Sequence, residues 1–267
     1  MCATLRSPDE GLRQPVVRRP PVCAGYASVH AYTLEAADCV AFVPTQGALS
    51  WALGVTSHGD SEVLGVWASP VADGQVGLMM AAELGRRGMQ SLDVLVDGVS
   101  GGFRWAVLRS FPLASPVESC LRLQATCLSH VQPRHHASVV GSLAAVWRAP
   151  SHQAAVSALR GLEAGIWQRF PALVRRCHEA LDQLRPFWRL APQSRLAVLR
   201  GEALAGRLQA RASAALRRHG PFESGPAATE FAETWLRAAQ RRSACEAVAA
   251  PRRPRRSPAA ASSAMSA

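Results

Sequence analysis

The chain contains no lysine and no asparagine, so all 30 of its basic side chains are arginines. This bias is typical of a GC-rich genome, whose codons favour arginine and alanine. The formal net charge is nevertheless +11, and such a charge favours polyanionic partners. Guanidinium groups in particular suit bidentate contacts with phosphate.

Long apolar runs and paired cysteines are missing as well. No stretch reaches the roughly 18 consecutive apolar residues that a membrane span requires, so the sequence predicts no membrane partner. The first ten residues lack the apolar segment of a signal peptide, and we expect a cytoplasmic, nucleoid-associated protein. None of the seven cysteines forms a Cys-x-x-Cys pair, which predicts reduced and mostly buried thiols.

The hydrophobic pattern separates a strand-rich part from a helical part. With 267 residues, 48% of them hydrophobic, the chain is long enough for one or two domains with a core. The predicted strands are 25–32, 48–55, 62–68, 92–96 and 117–123, and the predicted helices among them are 76–87 and 102–110. The pattern is helical from about residue 129 to 220, and a further helix is predicted over 222–242.

One carboxylate stands out by its position. The stretch from Leu92 to Gly98 reads Leu-Asp-Val-Leu-Val-Asp-Gly, a short apolar run that delivers Asp97 to its carboxyl end before a glycine turns the chain. Ligands and metals commonly bind at the carboxyl ends of buried strands in α/β proteins. Asp97 is therefore the candidate catalytic and metal-binding residue.

Several short motifs follow one another along the chain in a fixed order. They are Ala52-Leu-Gly-Val, Glu62-Val-Leu-Gly-Val-Trp, Leu84-Gly-Arg-Arg-Gly and Leu95-Val-Asp-Gly-Val, followed by Phe103. Farther along come Trp167-Gln-Arg-Phe-Pro171, Leu184-Arg-Pro-Phe-Trp188 and Ala191-Pro192. Each motif alone is weak, but the ordered set over about residues 25–222 resembles the mutator-type transposases of bacterial insertion sequences.

The resemblance implies a fold, a reaction and partners. The fold would be α/β, a ribonuclease H-like mixed sheet with an all-helical insertion. Two aspartates and a glutamate would hold two Mg²⁺ or Mn²⁺ ions, which activate the nucleophile for strand transfer on double-stranded DNA at the element ends. An active protein of this family would work as a homo-oligomer.

On this basis the chain is divided into five segments. These are a flexible lead (1–24), a strand-rich core (25–128), a helical insertion (129–190), the closing helices of the core (191–242) and a disordered basic tail (243–267). The family's N-terminal helix-turn-helix region would have no room in the first 24 residues, which predicts a truncated copy.

The family's other acids are absent where the motifs place them. The first aspartate corresponds to His30, and the glutamate corresponds to Ala205 or, after a shift of one residue, Gly206. The histidine of the family's Cys-x-x-His pair corresponds to Leu123. Neutral histidine is a poor magnesium ligand, and alanine is none. Asp97 alone would remain, so the sequence predicts a catalytically degenerate copy.

Alternatives remain open at this point. Glu35, Asp38 or Glu202 could replace the missing acids. The chain could instead be a non-enzymatic DNA-binding remnant that uses its arginine-rich surface, or a poorly folded pseudogene product. Trp147, Trp167, Trp188 and Trp235 could stack on bases, although a place in the core is favoured for them. The arginine pairs 175–176, 217–218 and 241–242 could contact phosphate or form a solvated face, and His130, His135 and His136 are interpreted as solvated rather than metal-binding.

Overall fold

The computed structural model describes residues 19–35, 48–69, 74–99, 102–163 and 166–249. Its strands are β1 (Gly25–Glu35), β2 (Ala48–Val55), β3 (Ser61–Ser69), β4 (Ser91–Gly98) and β5 (Ser115–Glu118). They form one mixed sheet in the order β3-β2-β1-β4-β5, in which β2 is antiparallel to β1 and β3, while β1, β4 and β5 are parallel. The predicted α/β class and mixed sheet are confirmed.

Helices cover both faces of this sheet. They are α1 (Gly74–Arg86), α2 (Phe103–Ser110), α3 (Cys120–Leu128), α4 (His136–Trp147), α5 (His152–Glu163), α6 (Pro171–Gln183), α7 (Arg185–Arg189), α8 (Pro192–His219) and α9 (Gly225–Ala249). Short 3₁₀ turns lie at Pro133–His135 and Ile166–Arg169. Among the helices of the described ranges, none is long and apolar enough to cross a membrane.

Three apolar clusters hold these layers together. One joins α1 and α2 to one face of the sheet, with Met80, Leu95 and Phe103 at its centre. A second joins α8 and α9 to the opposite face of β1, β2 and β3. The third packs the helices from α3 through α8 against β4 and β5 on that opposite face, through residues such as Val96 and Trp167. The helical part therefore shares a core with the sheet.

A tight turn over residues 56–60 joins β2 and β3 into a hairpin. Thr56 donates its backbone N–H to the carbonyl of Asp60 at 2.9 Å. Gly59 has a φ of 91°, a left-handed conformation that glycine adopts without a steric penalty. This turn sets β3 antiparallel to β2 and fixes their register.

The predicted strand over 117–123 is wrong beyond Glu118. The side chain of Ser119 accepts the backbone N–H of Arg122 at 3.1 Å and so caps α3, which begins at Cys120. A serine cap satisfies a helix N–H that would otherwise lack a partner, and this favours the helix over a longer strand. At the other end of the chain, α9 continues to Ala249 and passes the predicted helix end at 242.

Residues 19–24, the described part of the segment predicted as a flexible lead, are held to the sheet and helices through Arg19. The side chain of Arg19 is only 7% exposed and forms ion pairs with Glu83 of α1 at 2.7 Å and Glu233 of α9 at 2.8 Å. It also donates to the carbonyl of Val66 in β3. Residues 1–18 and the predicted tail from 250 onward lie outside the described residues.

Candidate functional site

Asp97 lies near the carboxyl end of β4, where the sequence places it. In the sheet it is in register with Ala31 of β1 and Glu118 of β5, and its exposure is 5%. Its Oδ1 accepts the backbone N–H of Val99 at 2.9 Å, and its Oδ2 accepts Nε of Arg104 at 3.3 Å. Both carboxylate oxygens therefore already have a partner.

Two opposing influences act on this carboxyl group. Burial raises the pKa of Asp97 above its ordinary value, while the Val99 N–H and the Arg104 guanidinium partly offset that rise. The ion pair with Arg104 favours the charged form, and a bound cation would have to compete with this guanidinium. The catalytic and metal-binding role of Asp97 remains a prediction.

His30 lies in the middle of β1 and is fully buried. Its Nε2 is 2.9 Å from the hydroxyl oxygen of Ser28, and its Nδ1 has no hydrogen-bond partner. Burial lowers the pKa of His30 to about 3, so the ring is neutral at physiological pH. A neutral ring packed inside the protein cannot do the work of a carboxylate at this position.

His30 and Asp97 face different layers of the molecule. His30 is in register with Val96, one residue before Asp97, and successive side chains of a strand point to opposite faces. The contacts agree with this alternation, because a Cβ built on Gly201 of α8 would lie 2.7 Å from Nε2 of His30. Asp97 instead contacts Arg104 of α2.

Glu202 of α8, one of the three possible substitute acids, lies near the carboxyl end of β1. It is buried and accepts the Ser119 hydroxyl at 2.5 Å, and the Tyr32 hydroxyl at 3.4 Å. Tyr32 is in register with Gly98, next to Asp97. The side chain of Glu35 and the whole of Asp38 lie outside the described residues.

Position 205 offers no metal ligand and no polar atom. Ala205 is fully buried in the apolar cluster of α8, α9 and β2. Gly206, the alternative one residue later, likewise brings no side chain. The glutamate that the resemblance implies therefore has no counterpart at either place.

The donor set does not suit two magnesium ions. Magnesium prefers several hard oxygen ligands in octahedral geometry. Within the described ranges, no group of three or more His, Cys, Asp and Glu residues could hold a metal ion. The carboxylates at this edge are bonded to other groups: Asp97 to Arg104, Glu118 to Arg176 at 2.6 Å, and Glu202 to Ser119. The residues that the structure describes do not fit the implied metal centre.

The four tryptophans that the sequence offers as possible base-stacking residues lie in the core or against it. Trp147 and Trp167 are buried, and Trp188 and Trp235 are partly buried against apolar clusters, which agrees with a place in the core. The exposed tryptophan is Trp105 of α2, 72% exposed, which sequence reasoning missed. A signal was available, because the helical spacing of Phe103, Ala106 and Val107 leaves Trp105 on the outer face.

Cysteine side chains are described at three of the seven positions, and two of these three are buried. Cys127 of α3 and Cys177 of α6 are free and buried, and their sulfur atoms lie 3.6 Å apart. Cys23 is free but exposed. Cys23 precedes β1, which begins at Gly25.

Comparison with known proteins shows where the chain belongs. Residues 42–229 match the family described as "Transposase, Mutator family". A transposase for insertion sequence element ISRM3 of Rhizobium meliloti (strain 1021) is 29% identical over 198 residues, which cover 70% of this chain and 49% of that protein. A probable insertion-sequence transposase of Corynebacterium diphtheriae is 28% identical over 188 residues, covering 69% of this chain and 53% of that protein.

The chain spans about half the length of the curated relatives it matches, among them a probable ISRM3-like transposase of Sinorhizobium fredii with 29% identity. The family match covers the sheet from β2 onward and the helices as far as the first turn of α9. This region contains Asp97, Glu202 and Ala205. The chain belongs to the mutator family of transposases.

Proposed function

We propose that this chain is a transposase segment that keeps a ribonuclease H-like fold and binds double-stranded DNA, but has lost the centre for metal-dependent strand transfer. The order of elements supports the fold: three strands, a helix, a fourth strand that ends in an acid, and then a helical block. The family supplies the expectation of DNA as the partner.

The observation that carries the loss of catalysis is the state of His30. The resemblance places the family's first aspartate at this residue, which is neutral, fully buried and packed against Gly201. Space for a hydrated ion and a DNA strand would require α8 to move away from β1. The Asp97–Arg104 ion pair and the apolar surroundings of Ala205 also support the loss of the metal centre.

DNA binding rests on the surplus of arginine. Arg175, Arg217, Arg218, Arg241 and Arg242 are exposed, so their guanidinium groups are available to phosphates. Arg176 of the first predicted pair is instead engaged by Glu118. Contacts of this kind give affinity that falls with salt, with a slope of about 0.9 per neutralised phosphate in a plot of log K against log salt.

The test combines two titrations of the purified chain. Fluorescence anisotropy with a labelled duplex is expected to show affinity that falls steeply with salt. The melting temperature is expected to be the same with and without Mg²⁺ or Mn²⁺, in the parent and in Asp97→Ala alike, because a ligand stabilises a protein only if it binds the native state.

Each alternative has its own outcome. A metal-dependent rise in melting temperature that Asp97→Ala abolishes would show a working metal site and refute the loss of catalysis. Absence of duplex binding at low salt would refute the DNA-binding role. A broad, non-cooperative transition would identify the poorly folded pseudogene product.

A further inference from the structure

Trp105 is an exposed aromatic side chain with no ring partner in the described structure. It lies on α2, 72% exposed, and the indole therefore offers a free π face to solvent. The other tryptophans of the chain are buried or partly buried. An exposed tryptophan loses the hydrophobic stabilisation that burial would give, so a partner that covers it would restore that stabilisation.

Two arginines, Arg104 and Arg109, lie close to Trp105 on α2, and this helix carries no acid. Arg109 lies one helical turn after Trp105, is exposed, and forms no ion pair or hydrogen bond with any described residue. Arg104 precedes Trp105, is one-third exposed and contacts Asp97 through Nε. The helix sequence, Phe-Arg-Trp-Ala-Val-Leu-Arg-Ser, contains no carboxylate of its own, and Asp97 of β4 pairs with Arg104 but not with Arg109. The partner that fits is aromatic and anionic.

We propose that Trp105, Arg104 and Arg109 form a stacking platform for an unpaired nucleotide base, with the arginines on the flanking phosphates. The inference rests on the proposed DNA-binding function and names the form of DNA that this surface takes. A planar indole can stack on a base only when that base is not already stacked inside a duplex. The platform selects single-stranded or locally opened DNA.

The charge pattern argues against a second copy of this chain as the occupant. A two-fold interface brings the same patch of both subunits together, so the arginines of α2 would face their own counterparts. Like charges brought together at a desolvated interface repel each other and disfavour it. Nucleic acid supplies both the ring and the negative charge that the platform lacks.

The experiment compares binding of two labelled probes, an oligodeoxythymidine and a blunt-ended duplex, by the intact chain and its variants. Trp105→Ala is expected to weaken binding of the single strand by about 5- to 150-fold, the range for losing one base–aromatic stack. Trp105→Phe keeps an aromatic ring and is expected to retain most of the affinity. Leu113→Ala is the matched control, because Leu113 is 92% exposed and apolar but has no π face.

Duplex affinity that stays constant in Trp105→Ala, together with a loss on the single strand, supports the platform. Equal affinity of parent and Trp105→Ala for the single strand overturns it, even if the duplex binds well. An equal loss on both probes also overturns it, because the contact would then be with the backbone. Failure of the parent to bind either probe refutes the DNA-binding function itself. A change in sedimentation that Trp105→Ala abolishes, with DNA affinity unaffected, would identify a second copy as the occupant.

Discussion

Replacing Gly201 by alanine tests how tightly α8 packs against His30 of β1. A Cβ at this residue would lie 2.5 Å from Cγ2 of Val55 and 2.7 Å from Nε2 of His30. Both neighbours are fully or almost fully buried, so neither side chain can swing into solvent. The helix would have to move away from β1 and β2, or the two side chains would have to leave their rotamers.

The magnitude follows from two opposing effects. Alanine favours a helix over glycine by about 1 kcal/mol. Overpacking a closed core costs typically 1–3 kcal/mol, and two contacts this short favour the upper end. Gly201→Ala is therefore expected to lower the free energy of unfolding by about 1–2 kcal/mol.

Gly161 of α5 provides the matched control. It is also helical, but a Cβ there meets nothing within 4 Å. Gly161→Ala is expected to raise the free energy of unfolding by about 0.5–1 kcal/mol, since only the helix preference changes. Urea unfolding of the parent and both variants, followed by circular dichroism, measures the difference. Equal stabilisation by Gly201→Ala and Gly161→Ala would show that α8 does not pack on His30 as described. Space for a metal ion beside His30 would then remain.

Three further predictions concern buried groups. The pKa of His30 is about 3 in the folded chain and 6.5 when exposed, so the unfolded chain binds the extra proton between these values. The contribution of His30 to the free energy of unfolding is therefore fully present above pH 6.5 and falls by about 1.4 kcal/mol per pH unit as the pH decreases toward 3. Urea unfolding at pH 7 and pH 5 should show a smaller decrease in His30→Gln than in the parent. Arg19→Ala removes one of two arginine partners from Glu83 and from Glu233, which keep Arg87 and Arg237, and should cost about 1–3 kcal/mol by the same assay; an unchanged midpoint would contradict the ion pairs described. A short pulse of iodoacetamide, read by peptide mass, should label exposed Cys23 well before Cys177, because the hydrogen bond with Cys127 and burial both raise the pKa of the Cys177 thiol; equal labelling would contradict that burial.

Features that depend on neighbouring residues could be predicted from the sequence. The strand predicted over 48–55 coincides with Ala48–Val55, because an apolar run followed by a Gly-Asp turn specifies a hairpin locally. Asp97 falls at the end of β4 for a similar reason, since the apolar stretch before it ends in a glycine. The strand end at Glu118 was harder to predict, because a serine acts as a cap only when a helix follows it.

Contacts between distant parts of the chain could not be predicted. Periodicity places Glu202 and Ala205 on one helical face, but it does not reveal that Glu202 reaches Tyr32, 170 positions earlier. The burial of Arg19 likewise depends on α1 and α9 meeting at the amino-terminal segment. Spacing alone therefore singles out Glu202 as a candidate acid but does not reveal its hydrogen-bond partners.

The covering of the sheet by α8 and α9 has a consequence for the order in which the chain folds. Strands β1 to β3 are complete early in synthesis, but Gln209, which bonds Trp51 and the carbonyl of Thr33, belongs to a helix that emerges after α1 to α7. Until then, one apolar face of the nascent sheet faces solvent. Long-range closure of this kind is slow and leaves chains prone to aggregate. A ribosome-bound chain that stops before α8 should therefore depend on chaperones, whereas one that extends through α9 should not.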